Sequence, residues 1–366
     1  MADLTNEFVA QIKDAAGQQS ALIIEGSGSK RWYGNAVNEQ NKLSTPGHTG
    51  ILDYDPAELV LTARAGTTIV ELEKALAERG QMLPFEPPRY SLASTLGGVI
   101  AAGLSGPARP YAGGVRDFVL GLHIIDGKGD ELKFGGQVMK NVAGYDVSRL
   151  MTGSLGILGL MTQVSLKVLP VPLAQSTLCF ELSEAAAIHQ VNAWSAKPLP
   201  ITGSAWYQGV LSVRLAGARA AVASAEQQLG GTKLAPDVAL KLWIDLQNQT
   251  HAFFCNASVM SGRGSLWRMS LPAIAPAINA ATIPGAQDQL IEWGGAQRWL
   301  WSDASPESIR MLARSMGGHA VLFNNQHAIG DVFDKLNPAL LAIHQRLKNT
   351  FDPHGIFNPG RLYQGL

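Results

Sequence analysis

Thiol chemistry is nearly absent: Cys179 and Cys255 are the only cysteines in 366 residues. That excludes a disulfide framework and any cysteine-only zinc or iron–sulfur site, and it makes reduced thiols in a cytoplasmic compartment the expectation. Charge is also sparse, at 16% of residues against a usual ~25%. The signs balance, with 29 Lys+Arg against 29 Asp+Glu and no basic run, so no nucleic-acid partner is expected. The first residues lack the apolar core of a signal peptide, because Asp3, Glu7 and Asp14 interrupt them. Two stretches, 90–108 and 150–166, carry no charge, but Gly, Ser, Thr or Pro cut both, so neither reads as a membrane span. With 46% apolar residues the chain has ample material for a buried core.

What is present in excess is glycine, 39 residues where the usual share is ~7%. The excess is concentrated between residues 94 and 170. Ahead of it, Leu4, Phe8, Ile12 and Ala15 recur at helical spacing over residues 3–16. A short apolar strand at 21–24 runs into Gly26-Ser27-Gly28-Ser29-Lys30. Strands are expected at 50–54 and 59–63 around a turn at Asp55-Pro56, then a helix over 69–79 with Thr68 as N-cap and Gly80 as its stop. A hairpin is expected from 120–126 and 131–134, and a long strand from 158–169. After Pro172 the texture changes. Strands at 176–182, 210–215 and 319–323, helices at 184–196, 219–228 and 305–317, and a hairpin turning at Gly294-Gly295 suggest an α+β domain built on an antiparallel sheet. A helix over 338–350 precedes the closing segment 351–361. Six of the eight tryptophans, Trp206, Trp243, Trp267, Trp293, Trp299 and Trp301, cluster after residue 200, and core or subunit contact is their first reading.

Three segments carry unusual chemistry. Gly26–Lys30 offers successive backbone N–H groups, small side chains and two hydroxyls, which is the make-up of a phosphate cradle. It fits neither G-x-G-x-x-G, since Arg31 stands at the sixth position, nor the P-loop pattern, and taken alone it also reads as an ordinary turn. Residues 94–106 are almost free of bulk and charge. Glycine costs ~1 kcal/mol per helix position, so Gly97, Gly98 and Gly103 need a reason, either close packing or a flat ligand. Residues 135–159 join Lys140, Gly144, Tyr145, Asp146 and Arg149 to Gly153, Gly156 and Gly159; the two cations could meet a phosphate or pair with Asp146.

Together these segments resemble the FAD-binding domain of the vanillyl-alcohol-oxidase type, the PCMH fold, and Asp352-Pro353-His354-Gly355-Ile356-Phe357-Asn358-Pro359-Gly360 is similar to the closing motif of the same FAD-linked oxidases. More narrowly, 80–88, 103–111 and 134–150 resemble the small FAD-binding subunits (the E subunits) of bacterial glycolate oxidases. The resemblance implies an α+β protein: a PCMH-type FAD-binding domain of two α/β subdomains at 1–172, an antiparallel-sheet α+β cap domain at 173–337, and a C-terminal return to the FAD domain at 338–366. It implies that Gly26, Ser27, Gly28, Ser29 and Lys30 form the pyrophosphate loop. Thr95, Gly97, Gly98, Ala102, Gly103, Ser105 and Gly106 would line the adenosine-pyrophosphate and flavin side. Gly113, Val115, Gly156 and Ile157 would hold adenine and ribose, and Asn358 and Arg361 would approach the isoalloxazine. The loop has neither His nor Cys, so non-covalent FAD is implied.

The function implied is that of an FAD-binding subunit of a glycolate oxidase complex converting glycolate, a small 2-hydroxy acid, to glyoxylate. The implied partners are a larger FAD-binding subunit and an iron–sulfur subunit, through which a cytoplasmic chain could also associate with the inner face of the membrane. His354 and Arg298 are the expected catalytic residues, with His319 and Arg314 behind them. No metal is expected: the His-x-x-x-x-x-x-His pair of relatives that oxidise 2-hydroxy acids by themselves is missing, since His319 and His327 are eight apart. Gly153-Ser154-Leu155-Gly156 stands where those relatives have Gly-Ser-Glu-Gly. These departures keep a second reading open, a non-catalytic assembly or relay subunit whose larger partner does the chemistry. A free-standing oxidase is the third.

Overall fold

The computed structural model of the chain describes residues 2–37, 41–136, 146–255, 264–286, 288–324 and 331–366. Lys140, Gly144, Tyr145 and His327 lie outside the described residues. The contacts divide the chain into two units. One comprises Met1–Leu104, Gly113–Pro170 and Lys335–Leu366; the other comprises Ser105–Ala112 and Val171–Asp334. Breaks therefore fall after 170 and 334, beside the 172 and 337 expected, and residues 105–112 cluster with the second unit.

The first unit holds two layers of strands. A parallel pair, Ile23–Glu25 with Lys42–Ser44, is extended by a bridge from Leu22 to Phe357 of the C-terminal return. The helix Thr5–Gln18 covers it with Phe8, Ile12 and Ala15, the expected apolar stripe, packed among Leu22, Leu43, Ile125 and Phe357. The second layer is an antiparallel sheet in the order Ile51–Asp55, Val60–Arg64, Leu160–Lys167, Val119–Ile125, Glu131–Gly135. Its buried side chains Leu61, Val164, Leu166 and Ile124 meet Ile69, Leu72 and Leu76 from the helix Ile69–Ala77. That helix starts as the sequence predicts, with the Thr68 hydroxyl accepting from the Glu71 N–H at 3.2 Å. The long strand expected at 158–169 is broken at Val168, whose N–H turns to Leu59 O at 2.9 Å, and Leu169–Pro170 pairs instead with Gln81–Met82.

The second unit is an eight-stranded antiparallel sheet in the order Thr232–Lys233, Ala174–Glu181, Val210–Gly217, Ile201–Tyr207, Gln289–Glu292, Gln297–Ser302, Ser265–Ser270, His319–Asn324. The strands Ile201–Tyr207 and Ser265–Ser270 and the helix Pro236–Asn248 are missing from the sequence-based expectation. Gly, Ser and Thr dilute the first strand, and the helix shows Val238, Leu240 and Ile244 to solvent, which blurs its apolar stripe. The helix Pro306–Ser315 begins as expected, with Ser305 as cap and Pro306 in the first turn. Trp243, Trp267, Trp293, Trp299 and Trp301 are buried, as the core reading expects, while Trp206 is half-buried with its Nε1 donating to Leu182 O at 2.8 Å. Strands and helices in both units give the α+β class that was expected.

Candidate functional site

In the first unit a groove of about 250 Å³ opens between the strand Ile23–Glu25 with its glycine loop and the short helix Leu96–Ala102. Its lining brings together Gly26, Ser27, Gly28, Ser29, Lys30, Thr95, Gly98, Ala102, Asn358 and Arg361, all expected at the site. The two segments touch directly. Ser29 Oγ lies 3.1 Å from Ser94 Oγ, and a Cβ on Gly26 would stand 2.4 Å from Thr95 Oγ1. Only a glycine lets the strand end approach the helix start this closely.

The loop is built to offer its amides. Gly28 has a φ of +72°, which turns the chain at no steric cost. Among the described residues nothing accepts a hydrogen bond from the backbone N–H of Gly26, Ser27, Gly28, Ser29 or Lys30. Five successive donors at a groove wall are an anion-binding concavity. Arg361 braces the chain just beyond them. Its guanidinium donates to Arg31 O at 2.6 Å, Tyr33 O at 2.7 Å and Asn35 O at 3.0 Å. Burial and the nearby Arg31 lower its pKa.

Thr95 caps the helix, its hydroxyl accepting from the Gly98 N–H at 3.3 Å. The glycines there divide by task. A Cβ on Gly97 would lie 2.9 Å from Ala65 Cβ, so close packing on the adjoining strand explains it, whereas Gly98 faces the groove. Gly103 takes φ +64° to end the helix.

The C-terminal motif reaches the groove through Asn358. Its Oδ1 accepts from the Ile24 N–H at 2.8 Å, and its Nδ2 donates to Leu155 O at 2.7 Å. A Cβ on Gly156, at φ +74°, would lie 2.7 Å from that Nδ2, so this glycine makes room for the amide. The residue before Asn358 is held by Lys348. The buried Lys348 ammonium donates to Ile157 O, Asp352 Oδ2 and Phe357 O, each at 2.8 Å. Asp352 in turn accepts from the N–H groups of Ile356 at 3.1 Å and Phe357 at 2.8 Å. Desolvation lowers the Lys348 pKa, and Asp352 opposes that effect.

Other expected residues lie elsewhere. Gly97, Gly103, Gly113, Val115, Gly156 and Ile157 do not line this groove; Val115 and Ile157 are packed into the core. Ser105 and Gly106 cluster with the second unit, where Gly106 O accepts from Trp293 Nε1 at 3.1 Å. His354 is exposed and off the groove. Arg298 belongs to the second unit and is wholly buried, its Nε on Gly295 O at 2.7 Å, its Nη2 on Ala275 O at 3.0 Å and its Nη1 3.5 Å from Glu184. Desolvation pushes its pKa down to about 10. Arg314 is bound to Asp334 at 2.6 Å and Glu307 at 3.0 Å. Arg149 pairs with Asp146 at 3.2 Å, the ion-pair option of the sequence reading. Lining residues that the sequence reading missed include Ile23, Glu25, Arg31, Lys42, Ala101 and Leu155. Of these only the charges Glu25, Arg31 and Lys42, flanking a glycine loop, gave a signal that could have been used.

Two family models match the chain: the FAD binding domain over residues 2–135 and the C-terminal domain of FAD linked oxidases over residues 324–362. The chain is 46% identical to the glycolate oxidase subunit GlcE of Escherichia coli over 365 residues, covering 100% of this chain and 99% of that protein. It belongs to the FAD-linked oxidases. Within that family it is also 32% identical to the glycolate oxidase subunit GlcD of Bacillus subtilis, over 54% of this chain and 43% of that one. A D-lactate dehydrogenase of Archaeoglobus fulgidus is 23% identical over 99% and 90% of the two chains. Among solved structures, an alkyldihydroxyacetonephosphate synthase superposes with a TM-score of 0.66 at 18% identity, over 98% of this chain and 76% of that one, which supports the fold.

FAD is the family's cofactor and this chain's. The groove suits it: five unsatisfied amides for a diphosphate, small residues beside them, and neither His nor Cys along the loop, in keeping with non-covalent binding. The full-length match to a GlcE subunit overturns one expectation, that this chain's own flavin oxidises glycolate; it supports the assembly or relay reading instead. With it falls the catalytic role of His354 and Arg298. The geometry gives the physical reason: one is exposed away from the groove, and the other is wholly buried inside the second unit, with Nε and Nη2 bound to backbone carbonyls there. No helix among the described residues is long and apolar enough to cross a membrane.

Proposed function

We propose that this chain is the non-catalytic FAD-binding subunit of a complex that oxidises a 2-hydroxy acid, glycolate in the first instance, and that it serves assembly or electron relay. The observation that carries the reading is the 46% identity to a glycolate oxidase GlcE subunit across the whole chain. A bound flavin supplies reversible one- and two-electron redox chemistry. The chain's own residues bind and orient it. The amides of Gly26–Lys30 receive the diphosphate, Thr95, Gly98 and Ala102 leave room for the body of the cofactor, and Asn358 and Arg361 brace the wall from behind. The partners are a larger flavin subunit similar to GlcD, which carries the oxidation, and an iron–sulfur subunit that takes the electrons. Two distant cysteines cannot hold a cluster here, so electron exit needs such a partner.

The test is an anaerobic spectrum. The purified chain is expected to be yellow and to stay yellow on addition of glycolate, and the reconstituted complex to bleach. Bleaching of the isolated chain by glycolate would overturn the proposal, as would full activity of the partners without it.

A further inference from the structure

The groove is lined by four cationic side chains, and they differ in what they already hold. Arg31 makes a two-pronged contact with Glu25, at 2.9 and 2.7 Å, and Lys42 lies 3.6 Å from the same carboxylate. Arg361 has given its donors to loop carbonyls. Lys30 is different. Among the described residues its ammonium has no hydrogen-bond or ion-pair partner and sits 5.7 Å from the centre of the Tyr90 ring. It follows directly on the amides without acceptors.

We propose that Lys30 is the residue through which this groove selects a phosphate-bearing flavin, its ammonium supplying the one lining charge that, among the described residues, is neither hydrogen-bonded nor ion-paired to the protein. The inference rests on the reading above that the diphosphate lies against residues 26–30. Burial favours the neutral amine and lowers its pKa to about 8 in the free chain. A phosphate group beside it restores the charge, so binding takes up a proton once the pH exceeds that value. Affinity for FAD is therefore level below about pH 8 and falls ~10-fold per pH unit above it. The other ionisable groups around the loop are Glu25, Arg31, Tyr33, Lys42, Tyr90 and Arg361. Keeping to pH 7–9.5 leaves Lys30 as the group whose protonation changes most.

The experiment is a fluorescence titration of the full apo-chain with FAD and with riboflavin, which lacks phosphate, at pH 7 to 9.5. Lys30→Gln is expected to lose ~10–100-fold in FAD affinity, the scale of a charged hydrogen bond, and to change riboflavin affinity by less than ~2-fold. Lys30→Arg is expected to keep FAD affinity and lose the fall above pH 8, and it serves where Lys30→Gln does not fold. Unchanged FAD affinity in Lys30→Gln, an equal loss for riboflavin, or a persisting pH slope in Lys30→Arg would overturn the proposal while leaving FAD binding intact. Failure of the wild-type chain to bind FAD at any pH would overturn the underlying reading as well.

Discussion

Lys348 in the first unit and Arg298 in the second are both buried cations facing a carboxylate, yet one supports the groove and the other only its own unit. Lys348 ties three carbonyl or carboxylate oxygens together, and one of them belongs to Phe357, next to the Asn358 that enters the groove wall. Arg298 ties Gly295 and Ala275 within the second unit. A buried ion pair is poor evidence of chemistry, because desolvation offsets most of the Coulombic gain. What distinguishes the two is where the oxygens they hold lead. The chain from Lys348 runs through Asp352, Phe357 and Asn358 to Ile24, the strand that delivers the glycine loop.

The largest expected effect breaks that chain. Lys348→Met leaves Asp352 buried without its cation and should cost ~3–5 kcal/mol in denaturant unfolding. It should also release FAD, read as loss of flavin absorbance on desalting. Arg298→Met should destabilise by ~3 kcal/mol yet leave flavin content per folded chain unchanged, since its partners stop short of the groove. Equal flavin loss in both variants would erase the contrast between the two cations. Gly26→Ala tests the groove itself. A methyl 2.4 Å from Thr95 Oγ1 must force the loop and helix apart, at ~1–3 kcal/mol and with weaker FAD retention. Removing the hydroxyl in Gly26→Ala/Thr95→Ala should recover part of both, because the next atom lies 3.5 Å away. The smallest effect belongs to His354→Ala, where stability should move by no more than ~0.5 kcal/mol and turnover of the assembled complex should stay the same. A slowed complex would return His354 to the chemistry.

How much of this was readable beforehand follows from how local each pattern is. The Gly-Ser-Gly-Ser-Lys loop, the Thr68 and Ser305 caps and the closing Asp352–Gly360 motif are written within a few residues, and each was found. Gly97 and Gly98 look alike in sequence, but only their surroundings show that one packs on Ala65 and the other faces the groove. Arg361 was expected at the isoalloxazine; in the fold its donors go to the carbonyls of residues 31–35. No pattern in the sequence pairs Lys348 with Ile157, 191 positions away. The same holds for the strand Ile201–Tyr207, which is fully part of a sheet although Gly203, Ser204 and Ala205 at its centre are poor strand formers.

By itself the sequence determined the local devices: which stretches bend, cap or expose their amides, while the ligand class came from the resemblance of those segments to a known family. Those properties depend on backbone sterics within a turn or two of chain. The tertiary structure decided which cation stays available and which are neutralised, because that depends on neighbours brought together from distant positions. Glu25 holds Arg31 and Lys42, the 31–35 carbonyls hold Arg361, and among the described residues lining the groove Lys30 is the cation left without a hydrogen bond or ion pair. Charge in a folded chain is assigned by burial and partners, and only the fold supplies those.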